Sequence, residues 1–492
     1  MQQPPPRPWR ALGYFLALAL LLRWGTSFIS VINHDESTYI TIAAEMLRGE
    51  VYLRDVIDTK PIGIFWLYEL LIRLTGGSIV ALRLATTVWV AGTAWLLYAA
   101  NRRATGSERA GRAAGVAYCF VTGVYTYYGI SPNSELFFNA LTVGAVALAV
   151  APRVGRGADR FGNWLPAGLL LGAAVIIKPF AAAESLGVGL FLLWYYLLRE
   201  RRGDWPRALG GGGLLLAGFA VPLLVVYAYF HHHGMVSELL HYTFGVNRNY
   251  PVELAWYLRL KYLGDYLLRY APLVLLAGAA VYGSRRAGVG DLRRWTVFLL
   301  VYGLLVTVMV LSPGKRFGHY QIQLHPVLCL LAGAFFDPRL TVWARVRAFF
   351  GWRSVFWGGA AGTALIGLGH FLRFRAKPDV PRQIEAYLRP RLGPDDRYFT
   401  PNGYQIAYYL LGRDVPTPYV HSSLLFYDHH VHAFGLDPLA EAERLLADPR
   451  LRFVIVRAED TELDGPLMDR LLGAFRERER VGELVVWERH KY

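Results

Sequence analysis

Long apolar runs separated by arginine-dense loops constrain this chain more than any other feature. A bilayer core needs a helix of about 20 apolar residues at about 1.5 Å of rise each. Candidate runs fall near 11–32, 79–101, 113–130, 135–151, 165–183, 185–198, 208–230, 271–284, 295–312, 320–336 and 354–371. The run near 271–284 is the weakest of them. Several soluble domains could be built from 492 residues, but 54% hydrophobic residues and a mean hydropathy of +0.28 argue against that. The reading is a polytopic α-helical membrane protein with about eleven transmembrane helices.

The basic residues order these runs. Arg7 and Arg10 precede the first, which predicts a cytoplasmic amino terminus. Alternating from there, the inner loops hold Arg102, Arg103, Arg109 and Arg112, then Arg153, Arg156 and Arg160. Further inner loops hold Arg199, Arg201, Arg202 and Arg207, then Arg285, Arg286, Arg293 and Arg294, and last Arg339, Arg345, Arg347 and Arg353. Counting 61–75 as a span would flip every later loop, so "PIGIFWLYELLIRLT" is expected to lie along the outer interface. The net charge of +15 is then topological and lipid-facing, and needs no nucleic acid. The expected localisation is a membrane crossed several times, with the amino terminus cytoplasmic.

Cys119 and Cys329 fall inside expected spans, which gives no disulfide framework. The amino-terminal "PPPRPWR" and the span behind it read as a retained anchor rather than a cleaved leader. Residues 1–374 are the expected membrane domain, with outer loops near 33–78 and 231–270. Residues 375–492 turn charged, and "DRYFT", "RFVIVRA" and "ELVVWER" alternate with helical patterns in "PLAEAERLLAD" and "GPLMDRLLGAFRER". That predicts a small α/β domain, placed outside the cytoplasm by span parity. It has no glycine-rich strand-to-helix turn of the kind that holds nucleotides.

The first outer loop holds the most unusual chemistry. Asp35 and Glu36 are adjacent acids where the first run ends, with Ser37 as the expected N-cap and Ile40, Ala43, Ala44 and Leu47 on one helical face. Two acids before a surface helix can also be mere caps. Asp58-Thr59-Lys60-Pro61 opens a second helix that Gly76-Gly77 should end, and Lys60 beside free helix N–H groups would suit a phosphate. The alternative for Lys60 is a side chain reaching lipid headgroups.

Further polar groups gather on the same side: Glu135 in "SPNSELFF", Lys178 in "IIKPF", and Arg248 in the loop 231–270. "SPGKRFGHYQIQLHP" adds Lys315, Arg316, His319 and Tyr320, whose two basic residues run against the positive-inside trend. The triplet His231–His233 reads as a solvated loop, because adjacent histidines rarely converge on one ion. A transporter would place charges near the midplane and show paired, interrupted repeats; neither is evident in the sequence.

With "HDESTYITIAAEMLRG", "DTKPIGIFWLY" and "GKRFGHYQIQLHP" in this order, the chain resembles the GT-C membrane glycosyltransferases. Within them it is similar to the branch of dolichyl-phosphate-mannose protein mannosyltransferases and bacterial aminoarabinose transferases of lipid A. The resemblance implies inverting transfer of a sugar from a polyprenyl-phosphate donor to an acceptor on the outer side: a protein, lipid A or an envelope glycan. It implies Asp35, with Glu36 beside it, as the base or acceptor-orienting acid. A second acid is implied at "PNSE", with the alignment open between Asn133 and Glu135. Asp58 and Lys60 are implied as donor contacts, although Ile62 stands where a second proline is frequent. Lys178 and the segment Lys315–Tyr320 match donor-phosphate regions more loosely. One phosphate can be handled by lysine and arginine, so no cofactor is required, and a divalent metal is neither needed nor excluded. The competing classes are a lipid or solute transporter and a noncatalytic envelope-assembly protein.

Overall fold

The computed structural model describes residues 8–155, 160–199, 203–246, 254–315, 318–349, 352–401, 404–421, 423–458 and 465–490. Arg248 and Arg316 lie outside the described residues.

Among the described residues six helical stretches are long and apolar enough to cross a bilayer: Trp9–Phe28, Ile79–Thr105, Ser134–Val154, Pro179–Leu198, Trp205–His232 and Gly290–Leu311. A seventh arises if Trp256–Arg269 and Ala271–Arg286, bent by 88°, count as one. The chain is thus a helical, multi-pass membrane protein. Other expected runs form shorter helices, Glu108–Thr122, Trp164–Ile177 and His325–Ala334, while Trp352–Ala376 is 25 residues long.

The chain forms two compact units. The first comprises Met1–Phe28, Val80–Ala228 and Val252–Arg375. Its helices approach closely where small residues allow it. A Cβ added at Gly168 would lie 2.0 Å from the Leu215 carbonyl oxygen, and one at Gly172 would lie 2.2 Å from that of Phe219. This small-xxx-small spacing lets Trp164–Ile177 pack backbone to backbone on Trp205–His232. Polar groups inside the unit are tied to backbone. The buried Arg23 donates to the carbonyls of Thr122, Gly129 and Ile130, which the end of helix Glu108–Thr122 and the turn after it leave open. Asn101 donates to Ala110 and Leu330 and accepts from the Trp295 indole at 2.6 Å.

The second unit comprises Ile29–Ile79, Tyr229–Pro251 and Ala376–Tyr492. Its sheet has the order β1-β2-β4-β3, with β1 Arg397–Phe399, β2 Leu451–Arg457, β3 Phe475–Val481 and β4 Leu484–Arg489. The β1–β2 pair is parallel; β2–β4 and β3–β4 are antiparallel. Alternate side chains serve two cores: Phe453 and Ile455 pack with Ile384 and Leu388, while Val454 between them packs with Leu445 and Leu471.

Three expectations change here. The helical reading of "GPLMDRLLGAFRER" stops early, because the helix is Pro466–Leu472 and Phe475 begins β3. The charged alternation "FRERERV" makes a solvated edge strand, the usual protection of a sheet edge. The division at 374/375 also needs correction. A compact boundary does fall at Arg375/Ala376, but residues 29–79 and 229–251 fold with the carboxy-terminal segment rather than with the membrane helices. The reason is hydrogen bonding that local periodicity cannot reveal. Ile57 N–H donates to the Pro418 carbonyl at 2.7 Å, Val415 N–H to Glu45 at 2.9 Å, the Gln405 amide to Thr38 at 2.8 Å, and the Tyr409 hydroxyl to the Gly77 carbonyl at 2.6 Å. Finally, the helix carrying Asp35 is no surface helix: Glu36 through Glu45 are all buried.

Candidate active site

Helix His34–Leu47 begins at Asn33, not at Ser37. Asn33 is extended, and its side-chain oxygen accepts from the Glu36 N–H at 3.0 Å. The Glu36 carboxylate turns back to accept from the Ile32 N–H at 3.1 Å. This reciprocal arrangement is a capping box shifted by one residue, and it places both acids inside the first turn. Ser37, freed of that role, bonds the His34 carbonyl.

The second helix, Ile62–Thr75, by contrast starts later than Thr59: Pro61 is its N-cap position, with no side-chain cap. Gly76 ends it at φ 60°, a left-handed conformation that glycine adopts without steric cost. The loop before it is pinned by Tyr52, whose single hydroxyl proton lies within reach of the carbonyls of both Asp58 and Lys60.

These two helix starts bring Asp35, Asp58 and Lys60 together. The Lys60 ammonium lies 3.1 Å from Asp35 and 3.4 Å from Asp58. Asp58 is buried and also accepts from the Thr59 N–H at 2.7 Å. Burial pushes its carboxyl above the usual range, against the opposing pull of Lys60 and the Thr59 amide. Asp35 keeps 14% of its side-chain surface exposed and Lys60 keeps 25%. Two carboxyls thus hold one ammonium at a site that solvent still reaches. Lys60 is therefore ion-paired, where the loop sequence had suggested a cation standing beside helix amides.

His421, from the carboxy-terminal segment, belongs to this cluster and was not visible in the sequence. Its ring centroid is 6.3 Å from that of His34. Burial, reinforced by the Lys60 charge, holds the imidazole well below its ordinary value of 6.5, while Asp35 pulls the other way. Nothing in "TPYVHSSLLF" marks it out, since its neighbours His34, Asp35 and Lys60 come from more than 360 residues upstream in the chain.

A separate cluster forms within the helical unit. Glu135 is buried in the first turn of Ser134–Ala145 and pairs with Lys178, at the carboxy-terminal end of Trp164–Ile177. The Lys178 ammonium also sits 3.9 Å from the centroid of the Tyr320 ring, a cation–π contact. His319 packs edge-on against Tyr320 at 4.9 Å. Asn133 donates its amide to the Tyr128 carbonyl at 3.1 Å. Lys315 and Tyr320 border a cleft whose lining includes Arg259, Tyr262 and Gln321. Among the described residues no group of three or more His, Cys, Asp or Glu side chains is arranged to hold a metal ion.

Residues 59–227 match the family described as dolichyl-phosphate-mannose-protein mannosyltransferase, a stretch of less than half the chain. A curated relative, the undecaprenyl phosphate-alpha-4-amino-4-deoxy-L-arabinose arabinosyl transferase 1 of Pseudomonas fluorescens (strain Pf0-1), is 27% identical over 181 residues. That match spans 35% of this chain and 31% of the relative. Among solved structures, ArnT from Cupriavidus metallidurans bound to undecaprenyl phosphate superposes with a TM-score of 0.65 at 14% identity, covering 96% of this chain and 97% of that one. The archaeal oligosaccharyltransferase AglB from Archaeoglobus fulgidus, in complex with an inhibitory peptide and a dolichol-phosphate, gives 0.52 at 11%, over 92% and 69%. The fold is that of these polytopic enzymes. In sequence, the chain resembles GT-C glycosyltransferases of the protein mannosyltransferase and aminoarabinose transferase type.

Proposed function

We propose that this protein transfers a sugar from a polyprenyl-phosphate donor to an acceptor on the extracytoplasmic side of a bacterial plasma membrane, with inversion at the anomeric carbon. The observation that carries the reading is the Asp35–Lys60–Asp58 cluster: a partly exposed carboxylate and a cation in contact, in a chain with the fold of lipid-phosphate sugar transferases.

Asp35 takes, or orients, the acceptor hydroxyl proton as the new glycosidic bond forms. The bond between the anomeric carbon and the phosphate oxygen breaks, and its electron pair leaves with the polyprenyl phosphate. Lys60 supplies positive charge for that leaving phosphate, whose charge grows toward the transition state; Lys178 is assigned to the donor phosphate by its sequence segment. A donor phosphate competing for Lys60 would release Asp35 from its ion pair, so that donor binding frees the base. Glu36 holds the helix start, and Asp58 holds Lys60. Lys315, His319 and Tyr320 are further donor-side groups, and Arg248 and Arg316 are assigned there by sequence alone. Lysine charge can meet one phosphate without a divalent ion, so transfer is expected to persist in a chelator; loss of transfer there would add a metal to the account.

About eleven spans, a cytoplasmic amino terminus and an extracytoplasmic carboxy-terminal domain complete the proposal, with 61–75 lying along the outer interface. The experiment is to incubate purified protein in liposomes with labelled polyprenyl-phosphate sugars and envelope fractions. Label in an envelope acceptor supports transfer. Label that crosses the bilayer still attached to the lipid would favour a transporter. Binding without either would favour an assembly role.

A further inference from the structure

Glu184 lies in the apolar stretch "AAAESLGVGL" of the membrane-spanning helix Pro179–Leu198, buried and 2% exposed. It forms no ion pair among the described residues. An acid in such a place is costly to keep unless it has a task. Its partner is Gln323, whose amide nitrogen lies 2.9 and 2.8 Å from the two carboxyl oxygens. The same nitrogen lies 3.0 Å from the carbonyl of Phe180. A primary amide has two N–H donors, so one serves Glu184 and the other serves Phe180.

These bonds close a loop around Lys178. Phe180 is two residues beyond Lys178, on the turn where helix Trp164–Ile177 ends. Gln323 is three residues beyond Tyr320, in the stretch Gly318–Leu324. The Phe180 ring meets the Tyr320 ring edge-on at 5.0 Å, and the Lys178 ammonium lies over the face of Tyr320. We infer that Glu184 is a positioning residue: through the Gln323 amide it clamps the Lys178 turn to the Tyr320 segment and fixes where the Lys178 cation points. The clamp rests on the proposed role of Lys178 toward the donor phosphate.

The test is a double-mutant cycle of donor kinetics in the full-length protein reconstituted in liposomes. Glu184→Ala and Gln323→Leu should each lower kcat/KM for the polyprenyl-phosphate sugar about tenfold. Glu184→Gln, which keeps an acceptor oxygen in place, should retain at least about half. In a Lys178→Met background Glu184→Ala should cost less than about twofold more, because the cation it positions is gone. An undiminished cost in that background, or Glu184→Gln as damaging as Glu184→Ala, would overturn the inference; so would wild-type kinetics in Glu184→Ala. Should Glu184→Ala fail to fold, Gln323→Leu carries the same cycle. Absence of transfer by the wild-type protein would instead contradict the proposed function. The cycle read as polyprenyl-phosphate binding would then test the clamp by itself.

Discussion

Asp35 and Glu36 carry the same functional group one residue apart and meet different surroundings. The Glu36 carboxylate completes a cap on the Ile32 amide, whereas Asp35 reaches the Lys60 ammonium at a partly exposed edge. The expected consequence is a division of labour. Glu36→Gln retains one oxygen to accept from that amide and should leave transfer largely intact at some cost in thermal stability. Lys60→Ala should cost at least about tenfold in kcat/KM, the size of a lost charge-assisted contact. His421 gives a pH signature. Its folded-state value is depressed below 6.5, so its neutral form is favoured by folding. The stability it contributes is present above that value and is lost as pH falls from about 6.5 toward the depressed folded value. Thermal midpoints measured across that window should fall with pH, and the fall should be shallower in His421→Asn; parallel curves would remove His421 from the cluster. The acids and Lys60 were legible because charges at the end of an apolar run are rare. Their pairing was not, because it depends on Tyr52 folding the loop back, and His421 depends on a contact far away in the chain.

At the scale of elements, the helix stretches were largely legible, since apolar composition dictates them. Their starts were not: Asn33 took the cap expected of Ser37, and Pro61 displaced Thr59. A cap is decided by which side chain reaches an open N–H, and Ser, Thr and Asn compete on nearly equal terms. Strand β3 was hidden because "FRERERV" reads as a charged helix until its pairing with β4 is known. The glycine contacts yield a prediction that composition alone could not. Gly172→Leu would force a side chain against the Phe219 backbone at a 2.2 Å approach, so the helix pair must separate. Yield of folded protein in mild detergent should drop severely, while Gly189→Leu, with open space around its Cβ position, should be tolerated. Equal yields would show that the close approach is not needed.

At the scale of the whole molecule, the multi-pass character follows from the apolar runs, but the grouping into units does not. The loop 29–79 belongs with the carboxy-terminal segment because backbone and side-chain bonds such as Ile57 to Pro418 join them. The arginine distribution still predicts a topology. Reporters at Gly106 and Gly288 should read cytoplasm, and those at Asn133 and the carboxy terminus should read outside; a cytoplasmic carboxy terminus would overturn the span assignment. The central claim is chemical, and one measurement reaches it directly: polyprenyl phosphate released per labelled sugar transferred, for wild-type protein and for Asp35→Asn. The account predicts one phosphate released per sugar moved by the wild-type protein. It also predicts at most about one per cent of that rate for the folded variant, since asparagine keeps the shape but cannot take the proton. Normal release and transfer in Asp35→Asn would contradict it.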